Sequence, residues 1–309
     1  MNSNLAPIII FIYRRNIDDV LEKLLQNKLS KESKLYIFSD GYKNDQDKMD
    51  VLKVRDSLKD ITGFKNVKIF ESTQNKGLAN SIIDGVTQII SKYEKVIVLE
   101  DDLIVADNFL EYMNNALDFY EQNKKIWSIS GYSPNLKCLE KYDKDIYLST
   151  RANSWGWATW KDRWISIDWK IRNWNNFRND NHAIELFNQG GDDMFKMLEL
   201  QMIGKIDSWA IRWCYNQYQQ DKYTIYPSKS KLLNIGFDSK GTHNSRGSQR
   251  WTVEVSNKNV KFENIEFNKE IQNCFKKYYN LKSITKIGYI LKKIGGYKLV
   301  KKILNKVSR

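Results

Sequence analysis

The stretch Val96-Ile97-Val98-Leu99-Glu100-Asp101-Asp102-Leu103 constrains the fold more than any other part of this chain. Its four leading apolar residues show neither the alternation of a half-exposed strand nor the period of an amphipathic helix. They read as a strand buried on both faces. Three carboxylates follow at once. In an open α/β sheet such an acidic end falls on the C-terminal edge of the strands, where ligands bind. Three adjacent like charges repel, and a divalent cation is the usual counter-charge. The plainer alternative is that the acids start the next helix, marked by Phe109, Tyr112, Met113 and Ala116. Asp107 or Asn108 can cap that helix alone, which leaves the triplet for chemistry.

The chain before this stretch repeats one unit. Pro7–Tyr13 reads as a buried strand, followed by Arg14-Arg15 and a helix carrying Ile17, Val20, Leu21, Leu24 and Leu25. Leu35–Phe38 is a second strand ending in Ser39-Asp40-Gly41, with a polar helix over about 45–59. Val67–Phe70 is a third, and Gln74-Asn75-Lys76-Gly77 leads into a helix with Ile82, Ile83, Val86, Ile89 and Ile90. This alternation predicts a doubly wound, mostly parallel α/β sheet with helices on both faces. Arg14, Asp40, Lys76 and the triplet then share one rim. Two cations, a lone carboxylate and an acid cluster suit a nucleoside diphosphate: Arg14 and Lys76 at phosphate, Asp40 at a base N–H, a metal bridging to Asp102. Taken singly, Arg14 also fits a solvated helix start and Asp40-Gly41 a plain turn. The first strand lacks the glycines of a dinucleotide fingerprint and no Walker pattern occurs, which argues against a dehydrogenase, an ATPase or a nucleotidyltransferase.

The net charge is +13, from 50 Lys+Arg against 37 Asp+Glu. It favours anionic partners and concentrates at the end, since no acid occurs from Lys276 onward. Two histidines, His182 and His243, exclude a histidine-cluster mechanism. Three dispersed cysteines without a CxxC make zinc knuckles and redox pairs unexpected and fit a reducing compartment. No stretch reads as a signal segment or a membrane span. The Lys/Asn/Ile-rich usage hints at an AT-rich bacterial source.

Further strands are expected at Ile126–Gly131, Ile146–Ser149 and Tyr223–Pro227. Six of the ten tryptophans lie between Trp155 and Trp174. Trp157, Trp160 and Trp164 match one helical face and predict a core-pinned helix, with Trp155 and Gly156 before it, where a flat ring can face a sugar or the core. Asp207 stands at the start of a helix carrying Trp209 and Trp213. Its residue type favours an N-cap; a general base is the alternative. Residues 237–250 read as a polar, Gly-rich loop in which His243 is a metal or phosphate ligand or a surface histidine. From Phe262 the chain is expected to be helical and basic. Its apolar faces over Ile287–Leu304 fit either an anionic membrane surface or a packed helix with solvated lysines.

At these residues the chain resembles the N-acetylglucosaminyltransferase I family: inverting, metal-dependent nucleotide-sugar glycosyltransferases of the GT-A fold. The resemblance covers roughly Ile8 to Asn244. It rests on Val98–Tyr112 and, in order, on Trp155-Gly156-Trp157, Ile206-Asp207-Ser208-Trp209 and Lys240-Gly241-Thr242-His243. Residues 74–85 look more like the bacterial polysaccharide-building transferases of the same fold. The resemblance implies that Asp102 holds Mn²⁺ or Mg²⁺, with His243 as a further ligand. Glu100, Asp101, Trp155 and Gly156 would face ribose or donor sugar, alongside Arg14, Asp40 and Lys76 on the nucleotide. Asp207 would be the base. The chain departs from the family where Ile206 replaces a tryptophan and Ser208 a second acid.

The implied protein is a hexosyltransferase that moves a sugar from a nucleoside diphosphate, a UDP-sugar such as UDP-GlcNAc being favoured. The acceptor would be a hydroxyl of a saccharide or lipid-linked glycan, as in surface polysaccharide synthesis. It would be cytoplasmic, with its tail available to the inner face of the membrane, and nucleic acid is not an expected partner. The catalytic domain would span 1–255, with a nucleotide-binding half over about 1–125 and an acceptor-side half over about 126–255. A basic helical extension would span 256–309. A non-catalytic basic membrane- or nucleic-acid-binding protein and a carboxylate-pair glycoside hydrolase are the rival readings.

Overall fold

The computed structural model describes residues 5–236 and 250–280. The late loop with His243 and the basic tail from 281 lie outside them. The expected alternation is present: β1 (Ile8–Ile12), α1 (Asp18–Leu25), β2 (Lys34–Ser39), α2 (Asp45–Ser57), β3 (Asn66–Glu71), α3 (Leu78–Ile90) and β4 (Lys95–Glu100). There follow β5 (Leu103–Val105), α4 (Phe109–Tyr120), β6 (Ile126–Ser130), β7 (Ile146–Ser149), β8 (Trp157–Trp160) and α5 (Lys161–Ile165). Then come α6 (Trp174–Phe177), α7 (Asn181–Phe187), α8 (Met194–Met202), α9 (Trp209–Gln219), β9 (Tyr223–Pro227), β10 (Leu232–Asn234) and α10 (Lys269–Tyr279).

Eight strands form one sheet in the order β3-β2-β1-β4-β8-β6-β9-β7. Pairing is parallel from β3 through β4 and between β6 and β9. It is antiparallel where β8 joins β4 to β6 and where β7 closes the edge. The fold is thus α/β with a mostly parallel sheet between two helical layers. β1 shows why its residues are all apolar. Ile8, Ile10 and Ile12 enter a core shared with α1 and α4, while Ile9 and Phe11 enter another shared with α3 and α9. In the second core Phe11 lies over Gly85 of α3, where a Cβ would come within 2.7 Å of its ring.

Three expectations need correction. Trp157 and Trp160 do not share a helical face. They lie in β8, where residues three apart point to opposite faces, and they enter different cores. Trp164 does sit on a short helix, α5, stacked on Trp157 at 5.6 Å between centroids. The acidic strand ends in its acids, at Glu100, as expected, and Leu103 starts a separate ribbon in which β5 pairs with β10. Neither Asp107 nor Asn108 caps α4 through its side chain. Asn27, from beyond the end of α1, accepts the Leu110 N–H at 2.9 Å instead. Regular helix returns at Lys269, not Phe262. There Ile271 and Phe275 of α10 bury themselves with Leu136, Leu139, Tyr147 and Tyr226 in a third apolar cluster.

Candidate active site

β4 is fully buried from Val96 to Leu99 and delivers its acids to the C-terminal edge of the parallel strands. The end of β1 lies beside them: the Tyr13 N–H donates to Oδ2 of Asp101 at 3.2 Å. Burial first, and then the charge of Asp102, push the Asp101 carboxyl up to about 7, while the Tyr13 N–H and the Arg15 charge pull the other way. Glu100 is also held well above the usual carboxylate range, by burial and then by Asp102 and Asp101. Both effects follow from desolvation and like charge.

Asp102 leaves the sheet into the β5–β10 ribbon. The Ile235 N–H donates to its carbonyl at 2.9 Å. Gly236 closes on its carboxylate so tightly that a Cβ there would lie 2.1 Å from Oδ2 and 3.0 Å from Oδ1 of Asn234. The three carboxylates offer hard oxygen donors of the kind Mn²⁺ and Mg²⁺ prefer. Among the described residues no three His, Cys, Asp or Glu side chains converge to hold an ion by themselves.

The other expected donor-side residues are placed as follows. Arg14 Nη1 donates to Asp47 at 2.6 Å, and the Tyr13 hydroxyl donates to the other oxygen of the same carboxylate at 2.7 Å. The guanidinium that acts on Asp101 is that of Arg15. The Asp40 carboxylate is buried. It accepts from the backbone N–H groups of Gly41, Lys76 and Gly77, each at 2.9 Å, and from Asn75 Nδ2 at 3.1 Å. It thereby folds the loop before α3 against the end of β2. The Lys76 ammonium pairs with Asp84 at 3.2 Å at the surface.

Gly156 adopts φ +54, and a Cβ there would meet Leu232 at 2.1 Å and Leu99 at 3.3 Å. The turn therefore lies directly on the acidic strand. Trp155, just before it, stands edge-on to Tyr132 at 4.8 Å and to Trp251 at 5.6 Å.

Asp207 does not cap α9. Ser208 does, accepting the Ile211 N–H at 3.3 Å. The Asp207 side chain, 59% exposed, receives Nη2 of Arg212 at 3.3 Å. Burial holds the Arg212 guanidinium below its ordinary value, against the pull of Asp207.

Sequence reasoning missed Arg15, Asn234 and Gly236 at this edge. The Arg14-Arg15 pair was visible, but the choice between neighbours that point in different directions was not. Asn234 and Gly236 reach Asp102 through a ribbon pairing more than 120 residues apart, which no local pattern marks.

No protein-family model matches this chain, and no curated protein does. Among solved structures it is similar to a mannosyltransferase from Pyrobaculum calidifontis in complex with GDP-Man and Mn²⁺, with 12% identity and TM-score 0.33. That match spans 52% of this chain and about half, 48%, of the mannosyltransferase. It is similar to a UDP-glucose pyrophosphorylase complexed with UDP-glucose, with 11% identity, TM-score 0.35, 74% of this chain and 93% of the other. A third is mouse xyloside xylosyltransferase 1, with 9% identity, TM-score 0.32, and coverage of 69% and 80%.

Proposed function

We propose that this chain is an inverting, metal-assisted glycosyltransferase of the GT-A type that takes a nucleoside-diphosphate sugar, with a UDP-sugar favoured. The observation that carries this reading is the half-buried triplet Glu100-Asp101-Asp102 at the C-terminal edge of the parallel strands, tied to the end of β1 and closed by Gly236. Asp102 would hold Mn²⁺ or Mg²⁺, which when bound offsets the charge of the departing diphosphate. Glu100 and Asp101 face the ribose and donor sugar, and Arg15 joins Arg14 and Lys76 as the cationic side of the donor site. Asp40 acts by fixing the loop at residues 75–77. Asp207, oriented by Arg212, takes the proton of the acceptor hydroxyl as it attacks the anomeric carbon opposite the leaving group, so configuration inverts.

Thermal shift of the full chain with UDP, GDP and UDP-GlcNAc, each with and without Mn²⁺, tests the donor half. A nucleotide at 100 times its dissociation constant adds about 2.7 kcal/mol of stability, a shift of several degrees. Asp102→Ala is expected to remove the Mn²⁺-dependent part and leave the unliganded melting temperature nearly unchanged. Absence of any metal-dependent shift with all three nucleotides overturns the reading.

A further inference from the structure

Cys138 and Cys274 are far apart in sequence and no CxxC spacing marks them, yet the fold brings them together. Cys138 stands in the short 3₁₀ turn Lys137–Lys141 and Cys274 in α10, and the turn and the helix pack directly on each other. The neighbours of the two cysteines make that contact. Leu136 and Leu139 flank Cys138, Ile271 and Phe275 flank Cys274, and all four are buried in one apolar cluster with Tyr147 and Tyr226. Both cysteines lie against that cluster, half-buried. Their thiols meet in a hydrogen-bonding contact. Burial first, and then this contact with Cys274, push the Cys138 thiol up to about 12. The third cysteine is placed differently: Cys214 is buried, and its thiol donates to the Ala152 carbonyl at 3.4 Å.

We propose that Cys138 and Cys274 form a reversible dithiol–disulfide site that latches α10 to the rest of the chain, with a small-molecule disulfide of the glutathione type as its oxidant. The Cys138 thiol stays protonated at neutral pH, so Cys274 attacks first. The Cys274 thiolate, its proton lost to solvent, attacks one sulfur of RSSR. A mixed disulfide forms, the S–S bond of RSSR breaks and RS⁻ leaves. Cys138 then gives up its proton and its sulfur attacks that of Cys274, which forms the protein disulfide and expels the second RS⁻. Two protein thiols are oxidised, one RSSR is reduced to two RSH, and the two cysteine protons end on the two departing thiolates.

The closed latch encloses β7 to β10 and α5 to α9 in one loop. A cross-link between such distant positions restricts the unfolded chain, and more so the longer the loop. Gln272, on the same helix, accepts the Thr150 N–H and donates to the Gln189 carbonyl. Fixing α10 therefore also fixes the chain between β7 and β8 and the approach to α8. The thiol–disulfide balance around the protein thus sets how firmly this end of the sheet is held, whatever group the chain transfers.

The test incubates the reduced full chain with mixtures of reduced and oxidised glutathione, quenches with acid, alkylates the remaining thiols and maps the peptides by mass spectrometry. Free thiols should fall from three to one, with Cys214 still alkylated and the Cys138 and Cys274 peptides joined. The joined peptide should appear at glutathione ratios that leave both thiols free when the chain is unfolded in urea. The melting temperature should rise by several degrees on oxidation and return with dithiothreitol. Cys138→Ser and Cys274→Ser should each abolish both the joined peptide and the rise, and either serves if the other does not fold. The proposal is overturned if the two cysteines carry glutathione instead of each other, if they join no more readily in the folded chain than in urea, or if joining them leaves the melting temperature unchanged.

Discussion

Asp102 and Asp207 divide the proposed chemistry, and their surroundings differ in the way that division requires. Asp102 stands just before β5, its carbonyl held by the Ile235 N–H and its carboxylate covered by Gly236. Asp207 is largely exposed at a helix start with one cation beside it. Replacing Asp207 by Asn keeps size and shape and removes the proton acceptor. Transfer is expected to fall about 10²–10⁴-fold, the usual worth of base catalysis, while the nucleotide-induced thermal shift persists. Normal transfer by Asp207→Asn, measured as sugar released from the donor to acceptor, would show that another group takes the proton. The triplet was legible in the sequence because an apolar run that ends in three acids has few structural explanations. The Asp207 cap was misjudged because Ser208, the next residue, is an equally good cap and the two are not distinguished by type.

At the scale of elements, the strands β1, β2 and β4 were readable because burial leaves nearly uninterrupted apolar runs, whereas β3, an edge strand with no buried residue, showed itself only through Val67, Ile69 and Phe70. Burial also hid β8. Trp157-Ala158-Thr159-Trp160 buries every residue, so it shows no alternation, and its tryptophan spacing imitates a helix. What holds α9 against the sheet was equally invisible. Gln217, fully buried, donates to the Ser149 carbonyl at 3.1 Å and accepts from the Thr224 hydroxyl at 2.9 Å, and Thr224 in turn meets Ser128 at 2.8 Å. This network links α9 to β7, β9 and β6 through partners 7 to 96 residues apart. Gln217→Leu leaves the Ser149 carbonyl without its donor and the Thr224 hydroxyl with one partner fewer. It should cost about 1–3 kcal/mol, read as a lower urea midpoint at unchanged slope. An unchanged midpoint would mean that packing alone seats the helix.

For the whole molecule, the stretch after β10 returns to the sheet instead of trailing from it. Ile271 and Phe275 are buried, and Gln272 donates to the Gln189 carbonyl at 2.7 Å while accepting the Thr150 N–H at 3.2 Å. Burying two such side chains is worth about 1.5–3 kcal/mol each. Ending the chain at residue 255 should therefore lower the melting temperature by several degrees and, by baring Tyr147 and Tyr226, produce self-association on gel filtration. A monomer with the full-length melting temperature would show this stretch to be an appendage. Its basic composition had drawn attention to charge, whereas its fold contribution comes from a few apolar residues meeting partners more than 40 positions away.

The two-sided burial of β1 has one more consequence. A strand with one wet face is phased by polarity, since a slip of one residue would turn its apolar side to water. β1 has no wet face, so hydrophobicity is indifferent to its phase. Shape must then decide, and the hollow at Gly85 accepts the Phe11 ring while the opposite layer accepts isoleucines. The alignment of the Tyr13 N–H with Asp101, and with it the geometry of the acidic edge, is set by a lock-and-key fit between one ring and one missing side chain on the far side of the sheet.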